Sequence, residues 1–503
     1  MRILSSKKLA TLISALLVVW VVVGMYLQRD IGLADNGDFT SAIKLFTSGP
    51  VGFEPNWPPA GTEDWNQRFF HFWIPRWKLD WPLGRPTSSA VALWLPGVAL
   101  NHLLYSREVL YFPIVSLFPK VLLLASFVLL FRWIDASNLA RRAVLCIALG
   151  APMALMLTTT DYIAYLNSFY RETASLVFLF LTLASFLFLN QRPQSTLRFL
   201  VCLAAVLLLA TAKPSSVYWP LVACPLLFYL RDERNGRADY SALLKGLGIG
   251  LALMLALLLS VLIYASRQSK VYSYHSLFYG ALTWSDHPST HLAELGMKDG
   301  LECIGQSAYS PIGSECVSRY ERKLSYLNTV QVIFREPIVM FRMIGHAADR
   351  MQDISIEHLG KYSFDDPRAQ SHTYDILPGA EEQRLRDSAV DTPLDLWTTL
   401  KFKFFPIGYA LGIVLFLYLC LFVHGFRRAG FYRALSIPGL LTTIACPIDM
   451  LVALLGDGRR ELIKHLFLAN VLFDVASIAC LGLLLCLAFG IIRARSSRAP
   501  ELL

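Results

Sequence analysis

The 503-residue sequence has few charged side chains and lacks the motifs by which soluble enzymes hold nucleotides. Charged residues make up 17% of the chain, against roughly a quarter in an ordinary soluble protein. There is no glycine-rich phosphate loop, no Cys-x-x-Cys pair and no Ser–His–Asp spacing. Some of the polar segments between apolar runs would face the cytoplasm, and each of these is too short for a nucleotide-binding domain. The sequence therefore does not predict a soluble, nucleotide-dependent enzyme.

Apolar residues, by contrast, make up 55% of the chain and give it a mean hydropathy of +0.47. We predict an all-α polytopic membrane protein, because long apolar runs cross a bilayer as helices. Roughly ten transmembrane helices fit the pattern, at residues 9–27, 108–131, 143–160, 174–190, 198–212, 216–230, 246–266, 403–424, 434–455 and 467–490. The first is expected to remain as a signal anchor, since no small-residue cleavage site follows it.

The distribution of Lys and Arg predicts how these helices are oriented. If the N-terminus is cytoplasmic, most basic residues fall in the inner segments, so we expect both termini on the cytoplasmic side of the membrane. The basic residues lie in small groups between apolar runs, so the net charge of +9 reflects topology and no nucleic-acid partner is expected. We expect three parts: an N-terminal transmembrane module (1–266) whose outer loop 28–107 carries the site, an extracytoplasmic subdomain (267–402) of helices and loops, and a C-terminal transmembrane module (403–503). Membrane lipids are expected partners.

Two carboxylates stand just beyond the first predicted helix. Asp35 and Asp38 flank Asn36 and Gly37, and an Asn-Gly pair favours a tight bend. A charge at this depth is solvated, paired or functional. The plain interpretation is a turn with two solvated acids. The functional interpretation is a general base, or a ligand of a divalent cation such as Mg²⁺ or Mn²⁺.

A second polar group lies between the third and fourth predicted helices. The group is the stretch 167–172, with Asn167, Tyr170, Arg171 and Glu172. Asp161, Tyr162 and Tyr165 crowd the same short outer turn. Arg171 and Glu172 would pair with each other if the group were only structural. The density of polar side chains favours a pocket for a sugar or an acceptor.

Basic residues also occur on the outer side, against the general bias. Arg460, Lys464 and His465 are spaced so that they can share a helix face, and Lys213 ends a short predicted helix. A bound anion explains such residues, and a lipid phosphate headgroup fits this depth. The alternatives are ordinary anionic lipid and, for Lys213, snorkelling to the interface.

Two further features lie in the segment 267–402. His275 belongs to an aromatic run that either lines a sugar pocket or forms part of an interfacial belt. Cys303 and Cys316 are the cysteines that lie away from apolar runs, and an oxidising compartment would join them. We predict a disulfide between them.

Taken together, these motifs resemble the GT-C glycosyltransferases. Those are polytopic enzymes with an acidic motif in the first extracytoplasmic loop, and they use polyprenyl-phosphate sugars. The stretches 34–39 (ADNGDF), 167–172 (NSFYRE) and 456–470 (GDGRRELIKHLFLAN) are similar to bacterial surface-glycan hexosyltransferases. Bacterial pilin and cell-wall arabinosyltransferases have the same general architecture, so hexose and pentose donors are both open.

The resemblance implies transfer of a sugar from a polyprenyl-phosphate donor to an extracytoplasmic glycan, lipid or protein. It implies that Asp35 or Asp38 is the general base, with or without a divalent cation, and that Glu172 positions the acceptor or the metal. Lys213, Arg460 and His465 would hold the donor phosphate and stabilise it as a leaving group. The sequence has no Asp-x-Asp pair, because its acids are three residues apart. Metal dependence and the identity of the base therefore stay open.

Two other classes of function share this layout. A glycan polymerase or ligase would use the same kind of membrane site. A lipid-linked-sugar flippase needs charge along its spans, whereas Lys120, Asp449 and Asp474 are the main charges inside the predicted ones. A membrane scaffold without enzymatic activity would not need the acids of the first loop.

Overall fold

The computed structural model describes residues 6–51, 62, 71–81, 88–133, 146–232, 240–264, 268–354, 356, 359–367, 393–406, 408–428 and 430–496. This part of the chain is mostly helical. Its α-helices are α1 Ser6–Leu27, α2 Phe39–Ile43, α3 Ala90–Leu104, α4 Phe112–Val115, α5 Leu117–Trp133, α6 Ala151–Thr158, α7 Thr160–Leu166, α8 Arg171–Gln191, α9 Thr196–Ala210, α10 Trp219–Asp232, α11 Tyr240–Tyr264, α12 Gln268–Phe278, α13 Pro288–Glu294, α14 Pro311–Tyr320, α15 Tyr326–Arg335, α16 Ile338–Arg350, α17 Leu396–Phe404, α18 Ala410–Phe426, α19 Phe431–Asp457, α20 Leu462–His465 and α21 Phe467–Ser496.

Several of these helices are long and apolar enough to cross a membrane. Within the described ranges there are five, or up to six if the bent pair α6–α7 counts as one span. The five are Phe112–Arg132, Arg171–Gln191, Tyr240–Val261, Phe431–Asp457 and Phe467–Ala488. Shorter apolar helices accompany them, at Thr11–Leu27, Ala90–Leu104, Thr196–Ala210 and Ala410–Phe426. The helical membrane class is confirmed, and the number of roughly ten spans stays a prediction.

The predicted third span, 143–160, is bent. Residues Ile147–Thr158 and Thr160–Leu166 meet at 63°. The break lies at Thr159, whose backbone is extended, and Asp395 Oδ1 accepts a hydrogen bond of 3.0 Å from the amide of Thr160. A carboxylate from a distant segment thus caps the second helix, which local sequence does not reveal.

Two short strands correct the all-α prediction. Strand β1 (Arg76–Lys78) pairs antiparallel with β2 (Val109–Tyr111), and Trp77 lies opposite Leu110. Trp77 and Leu110 are buried and their strand neighbours are more exposed, as the alternation of a strand requires. The second predicted span therefore begins at Phe112 instead of residue 108.

The central helix is α8, and its N-terminus brings polar residues to one end of the bundle. Of its most apolar window 89% is buried inside the protein, against 17% for α11, which lies at the periphery. Side chains from all three predicted parts of the chain share one hydrophobic core. The predicted disulfide between Cys303 and Cys316 is confirmed. Residues 368–392 of the predicted extracytoplasmic subdomain lie outside the described residues.

Asn167 fixes the chain where it leaves α1. Its side-chain amide donates to the carbonyls of Gln28 at 3.0 Å and Ile31 at 2.5 Å, and its oxygen accepts from the Ser116 hydroxyl at 3.3 Å. Asn167 is fully buried. This buried amide therefore acts as a clamp on the entry to the first loop.

A second segment holds the same loop from the other side. The amides of Gly32 and Ala34 donate to the carbonyls of Lys361 and Gly360, at 3.0 and 2.8 Å. The Lys361 ammonium also pairs with Asp161 at 2.6 Å. Residues 34–39 are thus held between the turn before α8 and the segment 359–362.

Candidate active site

Asp35 shapes the first-loop turn. Its Oδ1 accepts hydrogen bonds from the amides of Gly37 at 2.7 Å and Phe39 at 3.1 Å, where α2 begins. Gly37 has a φ of +96°, which favours glycine. Asp35 is buried, and this burial raises the pKa of its carboxyl from 3.8 to about 6, against the two amide hydrogen bonds. Asp35 therefore has the contacts of a structural cap.

Asp38 is the accessible carboxylate of the pair. Its side chain is 42% exposed, whereas that of Lys464, its partner, is 2% exposed. Asp38 Oδ2 lies 2.6 Å from Lys464 Nζ, although 426 positions separate the two residues. One oxygen of Asp38 is thus bonded to a buried cation while the side chain still reaches the surface.

Asn36 and Tyr170 tie the turn to the rest of the site. The Asn36 side chain donates to Glu461 Oε2 at 2.7 Å. The Tyr170 hydroxyl donates to the Ala34 carbonyl at 2.7 Å and accepts from the Asn36 amide at 3.2 Å. Tyr170 is fully buried, so it holds the turn from the protein interior.

Lys464 is the central cation of the site. It pairs with both Glu461 and Asp38, and it lies 5.4 Å from the centre of the Tyr170 ring. Burial alone would lower the pKa of Lys464, but the carboxylates of Glu461, Asp38 and Glu172 outweigh it and raise the pKa above its ordinary value. Lys464 is therefore charged and neutralises a group of acids. In this arrangement it is not an available phosphate contact.

Glu172 and Lys213 form a second buried pair beside the first. Glu172 Oε1 lies 2.7 Å from Lys213 Nζ, and both side chains are largely shielded from water. From the sequence, Lys213 is predicted to be a lone cation, and the family resemblance implies that Glu172 positions the acceptor or the metal. The structure gives each of them the other as a partner, so the pair contributes no net charge.

Arg460 is held from three sides and keeps a partly exposed guanidinium. It donates to the Ser307 hydroxyl at 3.3 Å and pairs with Glu461 at 3.4 Å. Its Cζ lies 3.8 Å from the centre of the Tyr309 ring, a cation–π contact. Arg460 is 26% exposed, so a ligand can still reach it.

Asp457 joins two imidazoles. Its Oδ1 lies 2.5 Å from His275 Nδ1, and its Oδ2 lies 3.1 Å from His465 Nε2. The amide of Ala308 donates to His275 Nε2 at 2.8 Å, so this nitrogen carries no proton. His275 is therefore neutral, with its proton on Nδ1 and shared with Asp457. His275 is fully buried with both nitrogens bonded, so it does not line a sugar pocket in this structure.

A family model described as the YfdI N-terminal transmembrane domain matches residues 1–494. The chain belongs to this family. None of the curated proteins and none of the solved structures matches it. The match covers nearly the whole chain and agrees with the membrane-spanning helices described above.

In this YfdI-family chain, the predicted site residues separate into two sets. Asn36, Asp38, Tyr170, Arg460 and Lys464 meet directly or through Glu461. Three others make contacts outside this set. Asp161 pairs with Lys361, Asn167 binds the backbone at the start of the first loop, and His465 contacts His275 only through Asp457. The Arg171 side chain is half-buried, and no hydrogen bond or ion pair joins its guanidinium to another described residue.

Sequence reasoning missed several residues that hold the site together. Glu461 and Asp457 were inside a recognised stretch, and the spacing of Glu461 with Lys464 would have indicated a pair on one helical turn. Ser307 and Tyr309 lie more than a hundred residues away from Arg460 and carry no local signal. Only the fold brings them together.

The pair Asp35 and Asp38 does not fit a divalent cation. Asp35 Oδ1 accepts two backbone amides, and Asp38 is bonded to the Lys464 ammonium, which already supplies a positive charge at this point. Among the described residues, the one group with metal-ligand spacing is Glu302 with Cys303 and Cys316, and the two sulfurs are bonded to each other. We therefore derive no chemistry through a metal at this site.

Proposed function

We propose that this protein is a membrane glycosyltransferase that moves a sugar from a polyprenyl-phosphate donor to an acceptor hydroxyl. The site would face the outside of a bacterial cytoplasmic membrane, with both chain termini inside. Membership of the YfdI family supports the proposal, since this is a GT-C-like membrane glycosyltransferase family. The observation that carries it is the exposed Asp38 carboxylate, bonded to a buried lysine and linked through Glu461 to the partly exposed Arg460.

Asp38 is the proposed general base. As the acceptor oxygen attacks the anomeric carbon, its proton passes to Asp38 and the bond between that carbon and the phosphate oxygen breaks. The phosphate leaves with the bonding electrons, still attached to the polyprenyl chain. Asp35 fixes the turn and Lys464 fixes the carboxylate, so both would act through Asp38.

Arg460, Arg171 and His465 are the proposed contacts of the donor phosphate. Arg460 is partly exposed, and the Arg171 guanidinium has no hydrogen bond or ion pair with a described residue, so both can bind an anion. Lys464 and Lys213 are each matched by carboxylates and would act at longer range. A guanidinium suits this role because it can present two N–H groups to one phosphate.

The experiment is transfer by the full chain reconstituted in liposomes. Radiolabelled polyprenyl-phosphate hexose and pentose are each supplied with membrane glycan acceptors, and the product is detected by its gain in mass. We expect transfer by the wild type and at least about a hundredfold slower transfer by Asp38→Asn. The matched control is Asp30→Asn, an exposed acid of the same loop that pairs only weakly with Arg29. Absence of transfer from both donors would refute the proposal, as would full transfer by Asp38→Asn.

A further inference from the structure

A disulfide-bracketed loop, residues 303–316, lies against the proposed phosphate site. Cys303 and Cys316 are bonded to each other and fully buried. The base of the loop is attached to α12, because the Tyr274 hydroxyl donates to the Cys303 carbonyl at 3.1 Å. The amide of Gly305 donates to the carbonyl of Phe278 at 3.0 Å. The loop is thus anchored where it begins.

The loop is also closed on itself. Ser310 caps α14 by accepting a hydrogen bond from the Gly313 amide at 3.0 Å. A Cβ at Gly313 would overlap the carbonyl of Ser307, so only glycine allows this close approach. The position of Ser307 is therefore fixed by the same turn that the disulfide closes.

Two side chains of the loop contact Arg460. The Ser307 hydroxyl accepts from its guanidinium at 3.3 Å, and the Tyr309 ring packs on it at 3.8 Å. Tyr309 remains 66% exposed. The ring therefore covers the proposed phosphate contact and can still be reached by a ligand.

The loop is connected to the histidines through its backbone. The Ala308 amide donates to His275 Nε2 at 2.8 Å, His275 pairs with Asp457, and Asp457 also pairs with His465. A displacement of the loop would therefore affect both Arg460 and His465. Arg460 would lose its packing partner, and the hydrogen-bonded chain to His465 would lose its first member.

We propose that the Cys303–Cys316 loop forms a wall of the donor-phosphate site and that its disulfide holds Ser307 and Tyr309 against Arg460. Tyr309 is then a positioning residue that acts through Arg460. The reduced protein would bind a polyprenyl monophosphate more weakly than the oxidised one. This inference rests on the proposed function, since it assigns the loop to the donor site of that reaction.

The test is a titration of the full chain in nanodiscs with a polyprenyl monophosphate, followed by native mass spectrometry. We expect Tyr309→Ala, which keeps the disulfide, to weaken binding about tenfold, as loss of a cation–π contact with its packing would. Tyr309→Phe keeps the ring and should bind within about twofold of the wild type. In transfer assays Tyr309→Ala should raise the donor KM and leave kcat nearly unchanged.

The disulfide is tested separately. Reduction of the wild type should weaken its binding of the polyprenyl monophosphate. The Cys303→Ser/Cys316→Ser variant should bind it equally weakly, with or without reductant. Cys420→Ser, which removes an exposed free cysteine of α18, is the control and should bind as the wild type does. Melting temperatures distinguish weakened binding from unfolding.

Three outcomes would overturn the inference. Unchanged binding by Tyr309→Ala would remove the loop from the donor site while leaving transfer, and the proposed function, intact. Equal weakening for phosphatidylglycerol and for the polyprenyl monophosphate would show a general anionic-lipid site. A wild type that neither binds the polyprenyl phosphate nor transfers sugar would refute the proposed function and this inference together.

Discussion

Replacing each first-loop aspartate by asparagine separates the structure of the turn from its chemistry. At Asp35 the amide of asparagine keeps an oxygen that can accept from Gly37 and Phe39, so the turn and the start of α2 should persist. At Asp38 the same change keeps a hydrogen-bond acceptor for Lys464 and removes the proton acceptor. Asp35→Asn should therefore retain transfer, whereas Asp38→Asn should reduce kcat by about 10²–10⁴-fold.

The stability of the Asp35 variant should depend on pH in a defined direction. The pKa of Asp35 is about 6 in the folded protein and 3.8 in the ordinary reference, so the folded state holds a proton more tightly. The contribution of Asp35 to wild-type stability therefore falls as the pH rises from about 4 to about 6, by at most roughly 3 kcal/mol. Asparagine has no such charge. Relative to the wild type, the free energy of unfolding of Asp35→Asn should therefore increase between about pH 4 and pH 6 and stay higher above pH 6.

Transfer by the reconstituted protein and thermal unfolding at several pH values measure these effects. Asp35→Ala serves as the comparison, since it removes the cap and should destabilise by about 1–2 kcal/mol. The reasoning would be refuted if Asp35→Asn abolished transfer at normal stability while Asp38→Asn stayed active. A difference between Asp35→Asn and wild type that did not change with pH would refute the argument from burial.

Three further substitutions test the packing around the site. Lys464→Met removes the buried cation that pairs with Glu461 and Asp38 and should destabilise by about 3 kcal/mol in denaturant unfolding, whereas Lys298→Met on the exposed surface should change stability by less than about 0.5 kcal/mol. Asp474→Asn removes the charge that a tyrosine, a tryptophan and a buried lysine share; we expect a loss of similar size and faster proteolysis of α17. Gly360→Ala would place a methyl group against a backbone carbonyl of the facing segment and should lower the melting temperature, while Gly248→Ala, with open space around it, should not; equal melting temperatures would contradict this account.

The sequence predicted the disulfide between Cys303 and Cys316 because they are the cysteines that lie away from apolar runs. It also predicted that the ends of distant helices carry the polar residues, and the structure brings Asn36, Asp38, Tyr170, Arg460 and Lys464 together at one end of the bundle. These predictions rest on where polar residues interrupt hydrophobic runs. That signal is local and survives without any knowledge of contacts.

Other features needed contacts between distant residues. The bend at Thr159 depends on a carboxylate at Asp395, and the second span is shortened by a strand paired with residues 76–78. The sequence could not rank Asp35 against Asp38, because both flank the same turn. Burial and two backbone hydrogen bonds decide that Asp35 is the cap, and exposure leaves Asp38 as the proposed base.

By itself the sequence determined the membrane class and the stretches of chain that carry the polar groups, because hydropathy and charge bias are properties of short segments. Only the tertiary structure decided which charges neutralise each other. Lys464 is paired with Asp38 of the first-loop turn and with Glu461, Lys213 is paired with Glu172 of α8, and Arg460 is held by Ser307 and Tyr309 of a distant loop. The free energy of a charged side chain depends on how far folding removes it from water and on which charges it then contacts. Neither can be deduced from the neighbouring sequence.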